Sequence, residues 1–329
     1  MTRLRTLTLT LIDTMPTLPD IQRRELLKAS ALLGGFAMLP VSASAATPKV
    51  ANKSPGLPLA DIPASSGATI TVERHDTTVL IGINRPELQN RIDPDTYLAL
   101  ARTLYQYDHD DSLRAAVLFG HGDHFSRGID VAAFAPVIAS GQPFLPANDH
   151  SAQDPLEKAS PVRLSKPLIV AVHGDTWNMA HEIFLAADIR VAASNTNFGQ
   201  DENTHGRFPG GGSTVRFVRE AGWGNAMRYM LTGDHWSAAE AFRMGLVQTI
   251  AANVDDAMQA ALELATKIAA CGPLGIRTTL ESAHLAIVPT ETPALSQIDA
   301  QFGRLFHTRD FKEGKQADEQ GRKPDFKGY

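Results

Sequence analysis

Residues 166–214, KPLIVAVHGDTWNMAHEIFLAADIRVAASNTNFGQDENTHGRFPGGGST, carry the pattern that decides the fold. Leu168 to Val172 (LIVAV) is a short β-rich run that reads as a strand. A turn at His173-Gly174 stops it, a helical pattern begins near Asn178, and Ile189 to Ala193 (IRVAA) returns as a second strand. Two carboxylates, Glu182 and Glu202, fall where the chain passes from regular structure to loop, and a glycine-rich turn, Pro209 to Gly212, follows them.

The flanking sequence repeats this alternation. Residues 69–73 (TITVE) and 78–83 (TVLIGI) read as antiparallel strands across a turn at His75-Asp76. Asp93-Pro94 caps a helix expected to run to about Tyr107. Ala115 to Phe119 reads as a buried strand, and residues 120–128 as a loop leading into Ile129-Asp130. Strand, loop, helix and strand recurring in this order imply right-handed ββα crossovers packed in layers. Residues 141–166 are a polar, Pro-containing insertion with the character of a mobile lid. A helix is expected from Thr214 to Ala221 with Arg216 and Arg219 on its polar face. Beyond Val254 the pattern turns helical, with Pro273, Pro289 and Pro293 expected as breaks. The charged, Gly-punctuated tail after Phe311 is expected to fray or to be ordered by a partner subunit.

The chain's 329 residues suffice for a large core, and 43% apolar with 20% charged residues is ordinary for a soluble enzyme. A net charge of -5 argues against a nucleic-acid binder, because no basic field attracts phosphates. Cys271 is the only cysteine, which excludes an intramolecular disulfide and a CxxC metal site, and it reads as a core thiol. Near the N-terminus, Gln22-Arg23-Arg24-Glu25-Leu26-Leu27-Lys28, the apolar residues 29–39 and the small-x-small Ala43-Ser44-Ala45 have the order of a twin-arginine export signal. The apolar stretch is too short for a bilayer span, which needs about 20 residues. This predicts a signal over 1–45 and a Pro/Ser/Ala-rich flexible linker over 46–67. The core then covers 68–253 and a helical oligomerisation region 254–329. Export would make the protein periplasmic; it stays cytoplasmic if the signal is unused.

Phe125-Ser126-Arg127-Gly128-Ile129-Asp130, the Glu182 and Glu202 segments and Pro209-Gly210-Gly211-Gly212-Ser213-Thr214 together resemble the enoyl-CoA hydratase/isomerase (crotonase) superfamily. The likeness runs from Thr69 to about Asn253, including Leu231-Thr232-Gly233 as a strand end and Gly245-Leu246-Val247 leading into the last strand. It implies an α/β fold, the crotonase (ClpP-like) ββα spiral with a helical C-terminal region, assembled as a trimer or a dimer of trimers. It also implies an oxyanion hole from the backbone N–H groups of Ile129 and Met179. Asn178-Met179-Ala180 stands where the family has a triple-Gly turn, but a backbone amide donates whatever its side chain. Glu182 and Glu202 match the acid/base pair, which adds water to an enoyl thioester by proton removal and delivery.

Alternatives remain at this point. Asp201 could take the Glu202 role if the loop shifts by one residue, and His181 and His205 could serve as accessory bases. Where CoA-binding members carry cations, this chain has Glu87 and the run Val131-Ala132-Ala133-Phe134, which predicts a site poor in positive charge. A CoA-independent C–C hydrolase of β-diketones therefore stands as an alternative, as does a non-catalytic exported binding protein. No metal-ligand spacing occurs, and the expected partner is a small molecule, acyl-CoA or β-diketone, with no separate cofactor.

Overall fold

A computed structural model describes residues 67–146, 149–158 and 163–329. The residues expected to form an export signal (1–45), residues 46–66 of the expected linker and parts of the 141–166 insertion lie outside the described residues. Strands β1 (Ile70–His75) and β2 (Thr78–Ile83) pair antiparallel across a turn in which Asp76 has φ +51°. Helix α1 (Pro94–His109) starts at Asp93, whose carboxylate accepts the Thr96 N–H, and Pro94 fills a first-turn position that needs no donor. Then come β3 (Ala115–Gly120), α2 (Val131–Ser140), β4 (Leu168–Val172), β5 (Asp175–Trp177), α3 (Met179–Ala186), β6 (Ile189–Ala193) and β7 (Asn197–Gly199). A 3₁₀ turn, Glu202–His205, precedes α4 (Ser213–Ala221), α5 (Trp223–Thr232), β8 (Trp236–Ser237), α6 (Ala238–Arg243) and β9 (Thr249–Ala251). Helices α7 (Val254–Ala269), α8 (Pro273–Leu295), α9 (Ile298–Phe306) and α10 (Arg309–Gln320) follow.

The main sheet has the order β1-β2-β3-β4-β6-β9, parallel from β2 onward. Both faces are covered, which is why β2, β3 and β4 are buried along their whole length. Leu80, Val117 and Ile169 pack on Met258, Ala261 and Ala265 of α7, while Ile81, Leu118 and Val170 join a second core with Leu100, Leu104 and Phe184. A small sheet, β5-β7-β8, does the positioning. Parallel pairing of β5 with β7 sets Trp177 opposite Gly199, so the segments leaving the two strands start side by side. A bridge between Ser126 and Thr176 lays the 126–129 loop along the same strand.

Several local expectations are corrected. Leu231 and Thr232 close α5 rather than a strand. Pro273 opens α8, but Pro289 and Pro293 lie inside it; the helix face is exposed around Leu285, so water can take the carbonyls that proline leaves unpaired. Arg216 is buried at 2% exposure rather than on a polar face, because its guanidinium reaches the carbonyls of Gly211 and Glu157. Cys271 is exposed, not in the core. The tail is ordered within the chain: the Arg309 N–H donates to the Tyr329 carbonyl, and the Asp310 carboxylate accepts the Lys327 and Gly328 N–H groups at 2.7 Å each. Among the described residues no helix is long and apolar enough to cross a membrane, and no cluster of three metal-ligating side chains forms.

Candidate active site

The three segments set side by side by β5 open onto one cavity of about 520 Å³, within the range of small-molecule sites. Ile129 from the first segment, Met179 and Glu182 from the second, and Asp201 and Glu202 from the third all line it.

Glu182 is buried at 3% exposure one helical turn into α3. One oxygen, Oε1, accepts the N–H groups of Gly211 at 2.7 Å and Ser213 at 3.2 Å. Gly211 must be glycine, because a Cβ there would collide with the Glu182 carboxylate. Burial raises the Glu182 pKa, opposed by those two amides and by the charges of Lys158 and Arg216. Glu202, at 8% exposure, is pushed well above the carboxylate range by burial and then by the charge of Glu182. Its Oε2 has no hydrogen-bond partner among the described residues. Two backbone donors and two cations thus favour the ionised form of Glu182, whereas Glu202 has only its own backbone amide and Arg207 against burial and the charges of Glu182 and Asp201, so Glu182 gives up its proton first and Glu202 keeps its own. One carboxylate able to accept a proton faces one carboxyl able to deliver it.

The two amides form the opposite requirement, a place for negative charge. Met179 is the first residue of α3, where N–H groups lack intrahelical acceptors and the helix dipole is positive. Gly128 sits at φ +81°, and a Cβ on it would lie 2.6 Å from the Trp177 carbonyl oxygen and 3.2 Å from the Met179 nitrogen. Gly128, the residue before Ile129, thus lies against the Met179 amide, and both Ile129 and Met179 line the cavity. Neither amide donates to a protein acceptor among the described residues. Free amide donors on two cavity-lining residues suit an oxygen that gains charge during reaction.

Asp201 and the histidines have other surroundings. Asp201 is held by Asn178 Nδ2 at 2.9 Å and His235 Nε2 at 3.1 Å. Burial raises its pKa, but the neighbouring His205 and the hydrogen bonds from His235 and Asn178 outweigh this and hold it well below the usual range. Asp201 is therefore a fixed anion and a poor proton source. His205 lines the cavity, with Nδ1 2.7 Å from Asp318 and Nε2 3.8 Å from Asp201, and Asp201 leads in raising its pKa. His181 does not reach the cavity. Its fully buried ring packs among Phe184, Phe217 and Trp236 at 5.1–5.6 Å between centroids, and neither ring nitrogen has a partner among the described residues. Burial lowers its pKa to about 3, so it stays neutral.

The expectation of a site poor in positive charge does not hold. Arg91, Arg127, Lys158, Arg207 and Lys315 all line the cavity, although Glu182, Asp201, Glu202, Asp299, Asp318 and Glu319 line it too, and the Val131-Ala132 stretch supplies no cation, as expected. Arg127 pairs with Asp175 at 2.7 Å and lies 4.6 Å over the Trp177 ring, and Lys158 pairs with Asp299 at 2.8 Å. Arg127 was readable in the sequence beside Gly128; Lys158, Arg207 and Lys315 come from an insertion, a turn and a distant helix that no local pattern joins.

Residues 73–329 match the family described as enoyl-CoA hydratase/isomerase. The chain is 36% identical to the enoyl-CoA hydratase EchA19 of Mycobacterium tuberculosis, over 79% of this chain and 97% of that protein. It is 30% identical to the crotonyl-CoA hydratase of Syntrophomonas wolfei, over 78% and 97%. The crystal structure of carnitinyl-CoA hydratase from Mycobacterium avium superimposes with a TM-score of 0.71 at 28% identity, covering 79% of this chain and 99% of that one.

Proposed function

This chain belongs to the enoyl-CoA hydratase/isomerase family, and on that premise we propose that it is a lyase adding water to an α,β-unsaturated acyl-CoA thioester. The observation that carries the reading is the pair of buried carboxylates in one cavity, one gripped by two backbone amides and the other with an oxygen lacking a donor. In the proposed step Glu182 takes a proton from water as its oxygen bonds to the β-carbon. Electrons shift to the thioester oxygen, and the amides of Ile129 and Met179 stabilise the enolate. Glu202 delivers its proton to the α-carbon, collapsing the enolate to the 3-hydroxyacyl thioester. A proton passing from Glu182 to Glu202, directly or through solvent, restores the starting state.

The five cations on the cavity wall offer partners to phosphate groups, set among six carboxylates on the same wall. The diketone hydrolase reading asks for an imidazole base: His181 is sealed among aromatic rings, and His205, which lines the cavity, is tied to Asp318 and has its pKa raised, which favours the charged form that cannot accept a proton. The test is hydration of crotonyl-CoA by the purified protein, followed as loss of enoyl-thioester absorbance, beside Glu182→Gln. The variant should lose turnover yet still bind acetoacetyl-CoA in calorimetric titration. Turnover retained in the variant would sink the assignment, and so would an absence of CoA-ester binding by the unaltered protein.

A further inference from the structure

Asn178 stands at φ +54° and ψ −121°, a conformation that residues with a Cβ rarely adopt. Its own carboxamide holds it there. Nδ2 donates to Asp201 Oδ1 at 2.9 Å, and Oδ1 accepts the Asp201 N–H at 3.1 Å. The main chain is tied down as well: the Asn178 N–H donates to Gly199 at 2.8 Å, and its carbonyl accepts from Gln200 Nε2 and the Glu182 N–H at 3.0 Å each. Asp201 Oδ2 faces His235 Nε2 at 3.1 Å, and since a carboxylate only accepts, that nitrogen carries the proton. The His235 ring is wedged against Trp177 and over Gly199, where a Cβ would come within 2.7 Å of it.

Asn178 is the residue before Met179, and Asp201 the residue before Glu202. We propose that Asn178 and Asp201 are positioning residues, a two-point clamp that keeps the turn presenting the Met179 amide in register with the turn presenting Glu202. The inference rests on the hydratase reading and explains how a side-chain-bearing residue occupies a turn that glycines fill elsewhere in the family. The clamp also carries charge. The groups acting on Glu202 are Glu182 and Asp201, which favour its protonated form, and Arg207, which opposes them; His205 stands between Asp201 and Asp318.

The test is kcat and KM for crotonyl-CoA across pH. Asn178→Ala should lower kcat by about 10- to 100-fold, as misplacement of a catalytic group does, with KM moving much less. Asn178→Gly, which relieves the backbone but opens the clamp, should fold with a near-normal melting temperature and still lose kcat. The Asn178→Ala, Asp201→Ala double variant should be no worse than the poorer single variant, because either change opens the same clamp. Asp201→Asn can still accept from Asn178 but lacks the charge, so the alkaline limb of kcat/KM should move to lower pH. With an active unaltered protein, undiminished kcat in both Asn178 variants, strictly additive losses or an unmoved alkaline limb would overturn the proposal. An unaltered protein that hydrates no enoyl-CoA would overturn the hydratase reading and this one with it.

Discussion

Replacing Glu202 by Gln should damage activity and stabilise the fold. Gln resembles the protonated carboxyl in shape but cannot deliver a proton, and a positioned acid contributes about 10²–10⁴-fold, or roughly 3–5 kcal/mol of barrier. Stability moves the other way. Burial and the Glu182 charge raise the folded-state pKa of Glu202 well above 4.5. Above that pH the unfolded chain releases a proton that the folded chain retains, so the native state binds more protons. Stability then falls as pH rises, by up to about 1.4 kcal/mol per unit, until Glu202 itself ionises. Gln has no proton to lose and escapes this penalty. Hydration kinetics with crotonyl-CoA, together with urea unfolding of both proteins at pH 5 and pH 7.5, would measure the two effects. The stability advantage of Glu202→Gln should be larger at the higher pH. A kcat within about fivefold of the unaltered protein, or an advantage that does not grow with pH, would refute the reasoning.

His181→Phe should keep kcat and the activity–pH profile, because the ring lies outside the cavity, and should stabilise the fold by about 1 kcal/mol through removal of unpaired buried nitrogens. With the folded pKa lowered to about 3 against an ordinary 6.5, the unfolded chain binds more protons between those values. Stability is therefore lost as pH falls below about 6.5, and melting curves of the variant should lack this share of the loss. Arg216→Met should remove the guanidinium donor of the Gly211 carbonyl, while Glu157 keeps Arg163, and cost about 1–2 kcal/mol in denaturant unfolding. It also removes a cation acting on Glu182, so the acid limb of activity should move to higher pH.

The sequence made legible whatever follows from local pattern. The apolar runs of β2, β3, β4 and β6, the Asp93 cap and the Pro209–Gly212 turn each announce themselves within a few residues. Glu182, Glu202, Ile129 and Met179 were reachable only through the resemblance to a family, and the structure brings all four to one cavity. What escaped depends on packing between distant segments. The three-residue strands β5 and β7 are too short to signal themselves, yet their pairing aligns the site. Arg216 follows the polar pattern of α4, but the carbonyls it serves lie in other segments, so periodicity placed it outward. His181 sits beside Glu182 in sequence, and the helix turns the two side chains to different surroundings.

Helix α10 has a consequence in time. Its Gly314 packs against the His205 carbonyl so closely that a Cβ would collide, and a Cβ on Gly206 would lie 2.6 Å from the Asp310 carbonyl oxygen. Asp318 closes the contact onto His205 at 2.7 Å, and Phe311 forms part of the cavity wall. Synthesis runs from the N-terminus, so the turn bearing Glu202 leaves the ribosome about a hundred residues before the helix that braces it. At a few to twenty residues per second, several seconds pass with the carboxylates made and the wall missing. A chain arrested in that interval carries every residue assigned to the chemistry and still lacks a finished site.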